Sequence, residues 1–156
     1  MIRNIALSLF LLPAFATAED MTIDKGFVLS EEEKGVLDRT NAERKAAGLA
    51  EFVANEKLFQ AARGHSINMA RRGQLNHTLD GKGMTERIRD AGYSFQGAGE
   101  NIAWNHRNAI EVVRTWMNSS GHRANLMNGT YTEIGIGFAV NDRGERYWTQ
   151  VFARPH

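Results

Sequence analysis

The stretch from Glu133 to Val140 narrows the choice of fold more than any other part of this chain. Ile134, Ile136, Phe138 and Val140 alternate with Gly135, Gly137 and Ala139, a period of two that predicts a strand with one bulky face and one nearly bare face. A bare face invites close approach by a helix or a ligand. The turn sequence Asn141-Asp142-Arg143-Gly144 follows, and from Glu145 to Ala153 the residues Tyr147, Thr149 and Val151 alternate against Trp148, Gln150 and Phe152. The C-terminal third therefore reads as an antiparallel hairpin.

Helical signals fill the region before it. Ser30-Glu31-Glu32-Glu33 forms a capping-box pattern that opens a helix over 31–47, with a modest stripe of Val36, Leu37, Ala42 and Ala46 and a stop at Gly48. Asn55 opens a second helix carrying Leu58, Ala61, Ala62, His65 and Met69 at three- and four-residue spacings, which closes at Gly73 after Arg71-Arg72. A loop over 74–83 contains an Asp80-Gly81 turn, and a short helix over 85–91 stops at Gly92. Gly97-Ala98-Gly99-Glu100-Asn101 leads into a short strand over 102–104. Asn108 with Glu111 caps a further helix, whose apolar face combines Ile110, Val113, Trp116 and Met117 and whose end is shaped by Ser119-Ser120-Gly121. Helices first and a hairpin last predict one α+β domain without repeats.

The N-terminus is of another kind. Met1 to Ala18 holds a single early charge at Arg3, an apolar run from Ile5 to Leu12, Pro13, and the small-residue ending Ala16-Thr17-Ala18. That is the pattern of a cleaved signal peptide, and the run is well short of the ~20 apolar residues that span a bilayer. The expectation is an exported protein, periplasmic or extracellular, with a lead-in over 19–30 and a domain over 31–156. The full chain has 19 Lys and Arg against 18 Asp and Glu, and removing residues 1–18 takes away only Arg3, leaving 18 against 18. A neutral domain has no broad field to hold nucleic acid or an anionic membrane surface. With no cysteine the exported domain must rely on its core. A chain of this length buries roughly two thirds of its unfolded surface, which is enough.

Five histidines supply most of the possible chemistry. His65 sits in mid-helix, His106 in a polar loop and His156 at the end, all with ordinary structural explanations. His77 and His122 lie in loop or helix-edge settings among small and polar residues, and neither belongs to a local H-E-x-x-H motif. A serine mechanism would pair Ser119 or Ser120 with His122 and Glu100, but there is no Gly-x-Ser-x-Gly elbow. Trp104, close after Glu100, is the tryptophan expected at the surface.

Several segments occur in a familiar order: Asn76-His77-Thr78, Gly99-Glu100-Asn101-Ile102-Ala103, Trp116 to Leu126, Thr132 to Gly137, and Tyr147 to Phe152. Together they resemble the CAP superfamily, or SCP domains, which embraces cysteine-rich secretory proteins, antigen 5 and pathogenesis-related proteins, here in its small bacterial branch. The resemblance implies a three-layer α-β-α sandwich, a small antiparallel sheet enclosed by helices, with a cleft in which His77, His122 and Glu100 meet. A second acid that relatives carry three residues after the helix tryptophan is Ser119 here, and Glu133 is the substitute to examine. The resemblance implies a cleft-based binding module for a lipid, a cell-envelope component or a protein partner, and the chain is expected to be a monomer. The alternative is a metal-assisted, protease-like hydrolase with a water activated by Glu100. His77 and His122 would hold a divalent ion such as zinc weakly, at about 2.0–2.2 Å, with Glu100 either ligating it or accepting a ring N–H.

Overall fold

The computed structural model describes residues 27–156; the segment over 1–18 expected to be a signal peptide and most of the lead-in lie outside the described residues. In chain order the elements are α1 (Glu31–Ala46), β1 (Val53–Ala54), α2 (Glu56–Arg72), α3 (Met84–Asp90), β2 (Phe95–Trp104), α4 (Ala109–Met117), α5 (Ser120–Leu126), β3 (Glu133–Val140) and β4 (Arg146–Pro155). The strands form one sheet in the order β1-β3-β4-β2. Pairing is antiparallel except at the two-residue edge strand β1, which runs parallel to β3, so the sheet is mixed at one border.

Helices cover both faces, giving the α-β-α sandwich. On one face α2 packs against β3 and β4, with α3 beside it, through Leu58, Ala61, Ala62, Ile88 and Val151. The bare side of β3 meets this helix rather than a ligand. A Cβ built on Gly135 would stand 2.0 Å from the Leu58 carbonyl carbon, and one on Gly137 would stand 2.3 Å from the Ala62 oxygen. The bulky side of the sheet, with Ile134, Ile136, Trp148 and Phe152, packs against Val36, Val113 and Trp116 on the opposite layer.

Local signals explain the helix ends. Ser30 and Glu33 exchange the reciprocal hydrogen bonds of a capping box, Asn55 accepts from the Lys57 and Leu58 amides, and Gly73 ends α2 in the left-handed region at φ 63°. The apolar stripes need correction. In α1 the buried side chains are Val36 and three polar groups, Glu33, Thr40 and Arg44, while Ala42 and Ala46 are exposed. Arg44 donates to the carbonyls of Ala50, Leu126 and Asn128 at 2.7–3.0 Å, so tertiary hydrogen bonds anchor α1 where the stripe was expected to. In α4, Val112 is buried and Ile110 faces outward.

Two elements differ from the sequence expectation. Ser120 and Gly121 do not end a helix; they begin α5 after a break at Asn118 and Ser119. The glycine-rich segment before Ile102 is itself strand, because β2 is ten residues long. It is an edge strand whose carbonyls at Ala98, Glu100 and Ile102 accept from Tyr131 Oη (3.0 Å), Asn125 Nδ2 (3.2 Å) and Trp116 Nε1 (3.2 Å). Those side chains stop the edge from recruiting another strand and satisfy groups that would otherwise be unpaired. Gly99 is required by the same arrangement, since a Cβ there would lie 2.8 Å from Asn125 Oδ1.

Candidate functional site

Glu100 lies on β2, on the sheet face covered by α2 and α3, and its carboxylate is the centre of the site. Its side chain is only 3% exposed. A carboxylate so placed needs donors. His77 Nδ1 lies 2.8 Å from Oε1, and the Arg87 guanidinium pairs with Oε2 from α3. A carboxylate accepts, so His77 carries its proton on Nδ1 and, when neutral, presents the Nε2 lone pair outward on a ring that is 55% exposed.

The loop that brings His77 here is held at several points. Asn76 accepts from the Thr78 amide, and the Asp80-Gly81 turn, with both residues at positive φ (54° and 73°), closes the Leu79–Lys82 bridge. Asp80 is tied to Asn68 and Arg72 of α2. Arg87 Nη1 donates to the carbonyls of His77 (2.9 Å) and Lys82 (3.0 Å), so the residue that neutralises Glu100 also fixes the backbone of its histidine partner.

His65 belongs to the same cluster. Projecting from α2, it is fully buried, and its Nε2 is 3.9 Å from Glu100 Oε1, beyond hydrogen-bond range. Neither ring nitrogen has a hydrogen-bond partner among the described residues. Burial lowers its pKa to about 4, against an opposing pull from the Glu100 charge. His122 is half-buried in α5, with its pKa lowered first by burial and then by the charge of His77. Asn101 positions it: Nδ2 donates to the His122 carbonyl (3.1 Å) and to Gln150 (3.3 Å), and Oδ1 accepts from Asn125 (2.9 Å). Gln150 in turn donates to Thr40 of α1 at 2.8 Å. This satisfied, buried amide chain ties His122 to the core.

The remaining candidates lie apart from this cluster. Ser119 is the residue preceding α5, makes no side-chain capping bond, and neither it nor Ser120 bonds to His122. Glu133, at the start of β3, accepts from Tyr93 and from Asn55 Nδ2 rather than meeting the histidines. Tyr93 is correspondingly held protonated, its pKa raised by burial and by the Glu133 contact. Trp104 is 46% exposed.

The donor set does not fit a divalent cation. Both Glu100 oxygens are engaged, one of them by a guanidinium, and His77 Nδ1 is committed as a donor. Among the described residues no three His, Cys, Asp or Glu side chains converge as a ligand set, where catalytic zinc sites use three and structural ones four. Of the two roles open to Glu100, orienting a ring N–H is the one its geometry performs.

Comparisons with known proteins agree with this frame. The family described as "CAP: Cysteine-rich secretory protein family" matches residues 37–152. The uncharacterized protein YkwD of Bacillus subtilis (strain 168) is 36% identical over 141 residues, 90% of this chain and 54% of its own length. An extracellular SCP-domain protein from Bacillus anthracis superposes with a TM-score of 0.73 at 31% identity, over 79% of this chain and 40% of that one. An outer surface protein from Borrelia burgdorferi gives 0.77 at 22% identity, over 83% of this chain and 97% of that one. A further neighbour, NaASP2 with Zn2+, is 12% identical with a TM-score of 0.58 and shares the fold alone. The chain thus spans about half of YkwD and less than half of the Bacillus anthracis protein, while the Bacillus anthracis and Borrelia neighbours are extracellular or surface proteins. No described helix is long and apolar enough to cross a membrane. Matched over most of its length, and although it contains no cysteine, the chain belongs to the CAP, or cysteine-rich secretory protein, family.

Proposed function

We propose that this chain is an exported binding module that uses the His77, Glu100 and His122 cleft to take a polar component of the cell envelope. The observation that carries the reading is the contrast within one hydrogen bond: the His77 ring is 55% exposed while the carboxylate orienting it is 3% exposed. A buried anchor that fixes the tautomer and angle of an exposed ring is how a recognition group is held ready. The outward Nε2 accepts from hydroxyl or amide donors, which sugars and peptides supply and acyl chains do not. An acyl chain needs an apolar channel. The groups gathered here are imidazole, guanidinium, carboxylate and amide. Extracellular and surface relatives support the setting.

Calorimetric titration with soluble peptidoglycan fragments, alongside phosphatidylglycerol vesicles, tests the proposal. Saturable binding of the fragments is expected, weakened at least tenfold in a His77→Ala/His122→Ala double variant that keeps native circular dichroism and a cooperative melt. Binding to vesicles alone, or fragment binding unaltered in the double variant, overturns it.

A further inference from the structure

We infer that Arg87 is a built-in cation that occupies the carboxylate face a divalent metal would use, so that Arg87 rather than the histidines decides the ion selectivity of this cleft. The Arg87 side chain is 12% exposed and pairs with a carboxylate that is 3% exposed, so its charge is fixed against Glu100 in a setting of low effective dielectric. A divalent ion approaching Glu100 meets that guanidinium as a like charge, and must also displace the proton that His77 Nδ1 donates. The backbone bonds from Arg87 to the carbonyls of His77 and Lys82 keep the guanidinium from swinging aside.

Without Arg87 the carboxylate loses its resident cation: Glu100 Oε2 is freed and the like charge facing an incoming ion is gone. Around Glu100 Oε1 the two nearest imidazole nitrogens are His77 Nδ1 at 2.8 Å and His65 Nε2 at 3.9 Å. His65 is buried with neither ring nitrogen in a hydrogen bond of ordinary geometry among the described residues. Removing the guanidinium therefore leaves a buried carboxylate with one free oxygen beside the His77 ring, a pair on which an ion can gain a foothold that the wild type denies it.

Zinc alone is the probe, titrated by calorimetry into the wild type, His77→Ala, Arg87→Met, Arg87→Lys and Arg87→Met/His77→Ala. The wild type is expected to give no saturable signal that His77→Ala removes. Arg87→Met is expected to bind zinc at least tenfold more tightly than the wild type, the gain is lost with His77→Ala, and Arg87→Lys, which keeps the charge, stays close to the wild type. Comparison with His77→Ala separates the cleft from adventitious binding at His106 or His156. Wild-type zinc binding that disappears in His77→Ala overturns the inference, and this holds even if Arg87→Met does not fold. So does a folded Arg87→Met protein, with native circular dichroism and a cooperative melt, that gains no zinc affinity. Either failure leaves the binding of envelope fragments to be judged on its own titration.

Discussion

Replacing Gly135 with alanine is expected to cost about 3 kcal/mol or more, the upper end of what overpacking does, and to lower Tm by about 10 °C. The added methyl would sit 2.0–2.3 Å from the Leu58 carbonyl carbon, the Leu58 oxygen and the Phe59 nitrogen. These are backbone atoms of α2, which cannot rotate away as a side-chain tip does. Gly137 makes the same kind of approach one turn further along the helix, at 2.3 Å from the Ala62 oxygen, so α2 has no nearby position in which to settle. Lifting it would also disturb His65, which projects from the same helix toward Glu100. Gly64→Ala is the control: it lies in α2, a Cβ there meets nothing within 4 Å, and alanine in a helix is favoured by about 0.5–1 kcal/mol. Thermal or urea unfolding of both variants distinguishes close packing, which predicts opposite signs, from a general intolerance of larger residues. Equal effects would contradict the packing account.

Stability is expected to fall by about 3 kcal/mol as pH drops from 6.5 toward 4, through His65. In the unfolded chain its imidazole takes up a proton near pH 6.5, whereas in the folded state burial holds the pKa at about 4. Above pH 6.5 the ring is neutral in both states and the fold keeps its full stability. Between these values the unfolded state binds the proton and the native state does not, so stability falls with pH until the native ring protonates too. The groups facing the ring act in both directions: the Glu100 charge and the Asn76 backbone raise its pKa, while Arg87 and His77 lower it. His122, also lowered by burial, adds to the same slope. The depressed carboxylates Asp80, Glu86, Glu111 and Glu145 lose their contributions mainly below their ordinary range, which leaves the interval from pH 6.5 to 5 to the histidines. Urea midpoints measured across that interval should flatten in His65→Leu, which fills a similar buried volume without an ionisable ring. An unchanged slope would show that His65 is not held neutral.

Much of the fold can be read in local patterns because local physics makes it. Ser30 with Glu33, Asn55 and Gly73 mark helix ends through hydrogen bonds confined to one turn, and the alternation in β3 marks a face so bare that only a helix backbone fits it. The segment before Ile102 is harder to read, since glycine disfavours strand and the reasons for Gly99 are Asn125 and Tyr131, brought in by later parts of the chain. The same is true of α1, whose buried Thr40 and Arg44 make sense only beside Gln150 and the carbonyls of Leu126 and Asn128.

The site divides the same way. His77, Glu100 and His122 stand in recurring motifs, so the family resemblance directs attention to them. Arg87 has no local signature, because its task is set by the reach of a guanidinium from α3 to β2. His65 fits its helical spacing as an ordinary core residue, and only the sheet register puts a carboxylate beside it. Asn101 is visible within the Gly-Glu-Asn motif, but its role as the clamp on the His122 backbone depends on Asn125 and Gln150. Glu133 is open to a place beside the histidines as long as the small face of β3 reads as bare; α2 closes that face, and Glu133 is held by Tyr93 and Asn55.

The claim on which the rest depends is that buried Glu100 fixes His77 as the Nδ1–H tautomer with Nε2 facing outward. Long-range 1H–15N correlation of the histidine side chains at pH 8, assigned by comparison with His77→Gln, measures this directly. A protonated Nδ1 and an unprotonated Nε2 are expected for His77, with this preference lost in Glu100→Ala. A His77 found as the Nε2–H tautomer, or one whose tautomer is unchanged in Glu100→Ala, would contradict the claim.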